Sequence, residues 1–516
     1  MSGVPTFEAP EFVDKPDDDR AEAGETVPQS GRVVSPPSDE TVIPISRSSR
    51  KMAKGATSGA STPSPAAPDL MTELDLAEMF AKRCVGLVAY CAALGGWFVF
   101  DAFRWALDER ESVREMVKDV AREVAAMAAA QLDKDLFKIA LRAGSAAGVR
   151  AVLELARSMP GIVFAASDAD SDPMLLATRG GTIDLRSGAV RAPASDDLIT
   201  RGTDVICDPD ATAPMWMAFL ERILPHPELR AYVARLMGYA ATGLIREHVL
   251  GVFWGPGANG KSVFAEVVMR VLGAYAKPGP SSLIVAARNE VHPTDVASLI
   301  GSRLVVVHET RRGASFDASK VKQLTGGDQL TARFMRQDFI TFSPTHLLLM
   351  LSNYKPRADA SDKALWRRVQ LVPFTVTIPE EERDPQLAER ILREEAAGVL
   401  NWIVAGCLEW QRIGLAPPDI VREQTEAYRA AEDVIGAFID ERCVMLREAT
   451  VRGGALYKAF EAWSDEQGVR PMRGRDFAAE IIGRGFEKTR DRRGALYRGI
   501  GLAADVEREG AFADDE

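Results

Sequence analysis

From Leu70 onward, apolar positions recur with two different periods, and the switches between them divide the chain. In DERESVREMVKDVAREVAAMAAAQL (108–132) they fall three and four apart among alternating charges, which predicts an amphipathic helix. In LLATRGGTIDLRSGAVRA (175–192) they alternate around Gly-Gly and Ser-Gly, which predicts one or two β-hairpins. WMAFLERILPHPELRAYVARLMGYAATG (216–243) returns to helical spacing, so 70–246 reads as a mixed, mainly helical domain. Residues 247–376 alternate apolar β-rich runs with glycine-rich turns and short helices, an α/β pattern. A helical extension is expected over 377–430. Helical patterns at 432–446, 454–467 and 474–484 are followed by the strand–turn–strand FEKTRDRRGALYRGIGL (486–502). That order predicts a winged-helix-like domain over 431–505, with an acidic tail at 506–516. The longest apolar stretch, VGLVAYCAALGGWFVF (85–100), has 16 residues including three glycines. It falls short of the roughly 18 apolar residues a membrane span needs and reads as a buried helix followed by a strand.

Composition changes the picture most at the start. Residues 1–69 hold ten of the 29 prolines and no Leu, Trp, Tyr, His or Cys. Such a segment buries too little apolar surface to offset its chain entropy and is expected to be a disordered tail. Its run ISRSSRKMAK (45–54) is read as solvated. The opening residues have no apolar core of a secretory signal, and the five cysteines (Cys84, Cys91, Cys207, Cys407, Cys443) contain no CxxC pair. A soluble protein of a reducing cytoplasm is expected, with no membrane partner, no disulfide framework and no zinc site. The net charge of −11 argues against a surface that coats nucleic acid as a whole, but leaves room for a basic lining at one site.

Chemistry enters at GVFWGPGANGKSVFAEVV (251–268). Gly255-Pro256-Gly257-Ala258-Asn259-Gly260-Lys261-Ser262 satisfies GxxxxGK[ST] without mismatch, between the apolar strand VLGVFW and the helical run SVFAEVVMRVLG, with Val263 counted among the nucleotide-binding residues. Glycines let successive backbone N–H groups curl toward phosphate oxygens, and the following helix adds its positive end. Lys261 would neutralise the β and γ oxygens of ATP, and the Ser262 hydroxyl would hold Mg²⁺. A second apolar strand, RLVVVHET, brings His308 and Glu309 to its end, and Glu309 is the expected activator of water beside the metal. A third, THLLLMLSN, ends in Asn353, whose amide can sense the γ-phosphate. In SDKALWRRVQLVPF, Arg367 or Arg368 can supply positive charge to the transition state. In other NTPases such an arginine is worth ~10³–10⁵ in rate. Between 310 and 337 six basic residues stand against two acidic ones, a local balance of +4. Arg336 is the first candidate for contact with the DNA backbone and Lys322 the second, with Arg333 also a candidate; the alternative is that Arg333 or Lys322 reaches the neighbouring nucleotide or an ion-pair partner. The basic hairpin at Lys488, Arg490, Arg492, Arg493 and Arg498 is a candidate wing. SDADSDP, with Asp168, Asp170 and Asp172, fails as a calcium loop because Pro173 stands where glycine is needed, and reads as a solvated turn.

GPGANGKS, RLVVVHET, KQLTGGDQLTARFMRQDFITFSPTHLLLMLSN and DKALWRRVQLVPF follow one another within about 120 residues. In this order they resemble the superfamily 3 helicases of the phage/plasmid and poxvirus-like primase-helicase type. GWFVFDAFRW, SDADSDPMLLATRGGTIDLRSGAV and DATAPMWMAFL resemble the domain that precedes the helicase in that family. YRAAEDVIGAFIDERC and LYKAFEAW resemble its C-terminal region, so the likeness spans about 75–502. The resemblance implies an α/β, AAA+-like P-loop ATPase core at 247–376, and an ATP-driven hexameric ring around single-stranded DNA moving 3′ to 5′. It implies Lys261 and Ser262 on nucleotide and Mg²⁺, Glu309 as base, Asn353 as sensor, and an arginine finger in trans, with Arg368 preferred over Arg367. Phage, prophage or plasmid replication is the implied setting. No fused primase domain is expected, so a separate primase or replication initiator is the expected partner. Two departures are His308, where many AAA+ enzymes carry aspartate, and ATRGG in place of an asparagine-rich turn. Two other readings stay open: a loader or translocase that does not unwind, and an ATP-gated DNA-binding assembly.

Overall fold

The computed structural model describes residues 71–286, 293–308, 312–336 and 338–503. The chain divides after Met71, and every element below lies in the unit Thr72–Glu516. The expected tails at 1–69 and 506–516 lie outside the described residues.

Helix α1 (Glu73–Cys84) starts at a reciprocal cap between Thr72 and Asp75. Strands β1 (Val88–Cys91), β2 (Gly96–Phe100) and β3 (Trp105–Leu107) form an antiparallel meander. The helix expected at the start of 85–100 is therefore corrected to a strand. Gly95 and Gly96 take φ of +104° and +133°, so the chain reverses there and Cys91 pairs with Gly96. The long amphipathic run forms α2 (Ser112–Gln131), which stops where Leu132 enters the left-handed region at φ +56°. It packs with α3 (Lys134–Ala143) and α4 (Ala146–Ala156). The predicted hairpins are β4 (Leu175–Arg179), β5 (Gly181–Asp184) and β6 (Ala189–Arg191), and β7 (Thr203–Ile206) joins β4 in the order β6-β5-β4-β7. Helices α5 (Pro214–Ile223) and α6 (Pro227–Thr242) follow, each with proline in its first turn, where no N–H is missed.

The centre is a parallel sheet in the order β14-β8-β13-β10-β9. Its strands are β8 (Leu250–Trp254), β9 (Ala276–Gly279), β10 (Leu304–His308), β13 (Leu347–Ser352) and β14 (Val369–Pro373). Of these, β8, β10 and β13 read as near-continuous apolar runs because the middle of the sheet is covered on both faces. On one face Phe253, Val306 and Leu349 pack with α5, α6, α7 (Lys261–Leu272) and the long α11 (Leu387–Ile413). On the other, Val305, Val307 and Leu348 meet α9 (Ala318–Thr325), α10 (Lys363–Trp366) and Tyr428 of α12 (Asp419–Glu432). Short α8 (Pro293–Ala297) lies between β9 and β10, and the hairpin β11 (Leu330–Ala332) and β12 (Ile340–Phe342) projects between β10 and β13.

The C-terminal part packs α13 (Val434–Arg442), α14 (Gly453–Glu466) and α15 (Gly474–Gly483) around Phe438, Phe460, Trp463 and Phe477. Strands β16 (Thr450–Arg452), β17 (Glu487–Asp491) and β18 (Gly494–Arg498) form an antiparallel sheet with β18 in the middle. Strand β15 (Cys443–Val444) pairs with β19 (Gly501–Leu502). No described helix is long and apolar enough to cross a membrane.

Candidate functional site

The loop 255–260 joins β8 to α7 at the carboxyl end of the parallel sheet, where open α/β folds place their ligands. Its course is set by backbone and one side chain. Gly255 donates to Ser352 O of the neighbouring strand (3.3 Å), and a Cβ on Gly255 would stand 2.0 Å from Phe374 O. Asn259 is buried beneath the loop and donates Nδ2 to Phe374 O (3.0 Å) and to Pro256 O. Ala258 O accepts from Ile378 N (2.8 Å), which fastens the loop to the chain beyond β14. Ala258 and Gly260 sit at φ +59° and +82°, the left-handed kinks that turn the loop into α7. The tip, Pro256 to Ala258, is exposed.

Lys261 opens α7 and is 5% exposed. Its Nζ donates to Gly255 O (2.7 Å), Asn259 Oδ1 (3.0 Å) and Asn353 Oδ1 (3.2 Å), with Pro256 O at 3.4 Å. Burial pushes its pKa down to about 8. Among the described residues its partners are all neutral oxygens, which leaves the ammonium an under-compensated charge ready to exchange them for an anion. Asn353 sits at the exposed end of β13, beside β8 in parallel register, so two adjacent strands deliver the pair. Ser262 is exposed and Val263 half-buried, both facing a cavity of about 1040 Å³ that runs from the loop along α5 to residues 378–390.

Strand β10 ends at exposed His308, opposite Leu351 of β13, so the strand tip reaches the same edge of the sheet. Glu309 and Arg311 lie outside the described residues. The two arginines of the WRR stretch part company. Arg368 points inward, 8% exposed, and donates Nε to Thr325 Oγ1 (3.1 Å) and Nη1 to Ala364 O (2.8 Å). Burial, with Arg367 beside it, holds its pKa below the usual guanidinium value. Arg367 is exposed. Of the two arginines, Arg367 faces outward and Arg368 is held within its own fold. Thr325, the last residue of α9, gives Arg368 its inward partner.

Lys322 is likewise engaged, with Nζ 3.0 Å from Asp362 Oδ2. The hairpin carries Arg333 and Arg336 in its 333–339 connection, with Arg336 at φ +61°. The Arg333 guanidinium lies 4.8 Å over the Phe339 ring. The sequence reading missed Phe334, Met335 and Phe339, all exposed, and the last 61% so. Aromatics interleaved with arginine in RFMRQDF were the available signal. It missed equally that Met215, Phe219 and Arg222 of α5 line the cavity; nothing in a helical pattern marks a face as a cleft wall.

Residues 76–225 match the family described as D5 N terminal like, and residues 253–368 match a family of unknown function, DUF5906. Among curated proteins, "Putative helicase L207/L206" of Acanthamoeba polyphaga mimivirus is 26% identical over 320 residues, covering 57% of this chain and 33% of that protein. "Putative helicase 184R" of Invertebrate iridescent virus 6 is 27% identical over 271 residues, covering 50% and 28%. "Putative primase C962R" of African swine fever virus (strain Badajoz 1971 Vero-adapted) is 26% identical over 249 residues, covering 44% and 25%. The chain thus spans a third or less of the length of these relatives. A solved structure, the apo A form of the NrS-1 C-terminal region, aligns with a TM-score of 0.46 at 10% identity, over 83% of this chain and all of that one. Residues 76–225 and 253–368 thus resemble two separate family models, and the chain is similar to viral proteins named putative helicases and a putative primase.

Proposed function

We propose that this chain is an ATP-dependent, ring-forming DNA helicase that couples hydrolysis to 3′–5′ movement on single-stranded DNA during replication of a viral, phage or plasmid-like element. The observation that carries this reading is Lys261. It is a buried cation held, among the described residues, by Gly255, Pro256, Asn259 and Asn353 oxygens at the head of a cavity, where the β8 loop turns into a helix.

In this reading the loop is a P-loop. Backbone N–H groups of 257–262 and the start of α7 hold the phosphates, and Lys261 exchanges its carbonyl partners for β and γ oxygens. The Ser262 hydroxyl, exposed at the helix start, is the hard oxygen ligand suited to Mg²⁺, which would offset phosphate charge when bound. Glu309 activates the attacking water, and Asn353, freed from Lys261, orients γ-phosphate and water. Arg367 reaches a neighbouring subunit's site, which makes a ring, taken as hexameric, the active form. Arg333, Arg336 and the exposed rings of the β11–β12 hairpin face DNA, combining phosphate charge with surfaces on which bases stack. The C-terminal helices and the β16-β18-β17 sheet act as a winged helix.

Unwinding of a forked duplex with a 3′ tail tests the reading. ATP-dependent strand separation is expected; hydrolysis without separation would identify a loader or translocase. His308 at the tip of β10 favours one second reading, an ATP-gated DNA-binding assembly, because an imidazole there adds no negative charge for Mg²⁺. Binding of ATP without turnover would select it.

A further inference from the structure

Between Asn353 and α10 the chain has little regular structure, yet its neighbours hold it almost residue by residue. The Lys355 ammonium lies 4.3 Å from the centre of the Trp254 ring and 5.4 Å from that of Tyr428 in α12. Pro356 O accepts from the Tyr428 hydroxyl. Arg357 N donates to Ala314 O (2.8 Å), and Arg357 O accepts from Phe316 N (2.9 Å). Ala358 N donates to Glu432 Oε2 (3.0 Å), and Ala360 O accepts from Arg429 Nε (3.0 Å). Tyr428 and Glu432 stand one turn apart at the end of α12, so a single helix end grips much of 355–360.

The next residue serves the other side. Asp433 follows α12 and caps α13, where its Oδ1 accepts from Gly436 N (2.8 Å) and pairs with Arg484 at the end of α15. Ser361 Oγ donates to Glu480 Oε1 of α15 (3.3 Å), a second tie from the same segment to the C-terminal part. The core around Phe438, Phe460 and Phe477 is separate from the two cores that cover the sheet. A cavity of about 450 Å³ lies at the junction, lined among others by Asp359, Ser361, Glu432, Asp433, Glu480 and Arg484. Polar contacts around a gap let two bodies shift against each other more readily than interdigitated apolar side chains do.

Glu432 is half-buried, and burial holds its pKa above the usual carboxylate value while the Ala358 N–H, Arg357 and Lys355 pull the other way. Two adjacent carboxylates thus divide the work: Glu432 grips the segment that follows Asn353, and Asp433 starts the C-terminal domain. We propose that Glu432 is a positioning residue that couples the 354–361 segment to α13, so that occupation of the phosphate loop, felt first at Asn353, is transmitted to the C-terminal domain. This rests on the phosphate-loop reading above and adds a link from that site to a part of the chain that does not line it. The coupling is reciprocal, so a ligand that shifts α13 changes affinity at the loop by the same factor.

Amide hydrogen exchange of the full chain, with and without saturating ATP and Mg²⁺, tests the coupling. In wild type, ATP is expected to change exchange rates by at least about threefold both at 354–361 and at 434–442. Glu432→Ala removes the acceptor of Ala358 N; ATP should bind within about twofold of wild type and still alter 354–361, with the response at 434–442 lost. Glu432→Gln keeps an oxygen acceptor there and should retain that response. Ser361→Ala, an exposed change that removes only the Glu480 contact, should weaken the response at 474–483 and leave that at 434–442 intact. A wild-type response confined to 354–361 overturns the coupling and leaves the phosphate loop standing. Absence of ATP binding overturns the phosphate loop and the coupling together. An undiminished response at 434–442 in Glu432→Ala, or its loss in Glu432→Gln as well, would overturn the role of the Glu432 oxygen.

Discussion

Lys261 and Asn353 are 92 residues apart, yet the ammonium donates to the amide oxygen at 3.2 Å. The contact exists because β8 and β13 are adjacent parallel strands whose carboxyl ends supply the loop and the asparagine. In the phosphate-loop reading, a phosphate that claims Lys261 competes with Asn353 for the ammonium, which couples ligand binding to release of that amide. Asn353→Ala is expected to leave ATP affinity within a few-fold and to lower kcat by about 10², the scale of losing one transition-state donor. Steady-state kinetics beside equilibrium binding separates the two effects.

The depressed pKa of Lys261 gives a pH signature. Below about 8 the side chain of the free protein is charged, and phosphate binds without proton uptake. Above that value binding must first protonate it. Triphosphate affinity is therefore expected to fall as pH rises from about 8, by at most tenfold per unit. Lys261→Arg, whose guanidinium stays charged, should bind with a flat profile over the same range. Calorimetry between pH 7 and 10 reads the difference.

Arg368 and Arg367 are predicted to fail in different ways. Arg368→Ala leaves Ala364 O and Thr325 Oγ1 without a charged donor, at a cost of about 2–3 kcal/mol, and should lower the thermal midpoint. Arg367→Ala should leave the midpoint unchanged and abolish turnover. Thermal scans of both variants decide it, and a stable, inactive Arg368→Ala would return the finger to that position.

Much of the site was legible because it obeys local rules. The GxxxxGK[ST] spacing, the apolar runs of β8, β10 and β13 and the polar residues ending them follow from backbone geometry and burial, which sequence displays directly. The direction of a side chain at a turn is different. Arg368 faces inward because Thr325 ends α9 beneath it, and no spacing near WRR encodes that neighbour. The ion pair weighed for Lys322 is present, but its partner Asp362 lies 40 residues on, where local spacing does not display it. The 85–100 stretch failed otherwise: its composition suits a helix or a strand, and paired glycines decided for a reversal.

The β11–β12 hairpin should show two separable contributions to DNA binding. Arg336→Ala is expected to weaken binding to single-stranded DNA of any sequence and to reduce the salt slope by about 1. Phe339→Ala should cost ~1–3 kcal/mol of stacking with the salt slope unchanged. Anisotropy titrations at three salt concentrations distinguish them. Equal slopes and affinities in all three proteins would remove the hairpin from the DNA path.

The most direct test of a shared, DNA-coupled ATP site is steady-state hydrolysis with and without single-stranded DNA, using wild type, Lys261→Ala, Arg367→Ala and an equal mixture of the two variants. Stimulation of wild type by DNA, two inactive variants and partial recovery in the mixture are predicted, since each variant would supply the group the other lacks at some interfaces. Full activity of Arg367→Ala alone, or ATP binding by wild type without turnover on any DNA, would contradict the account.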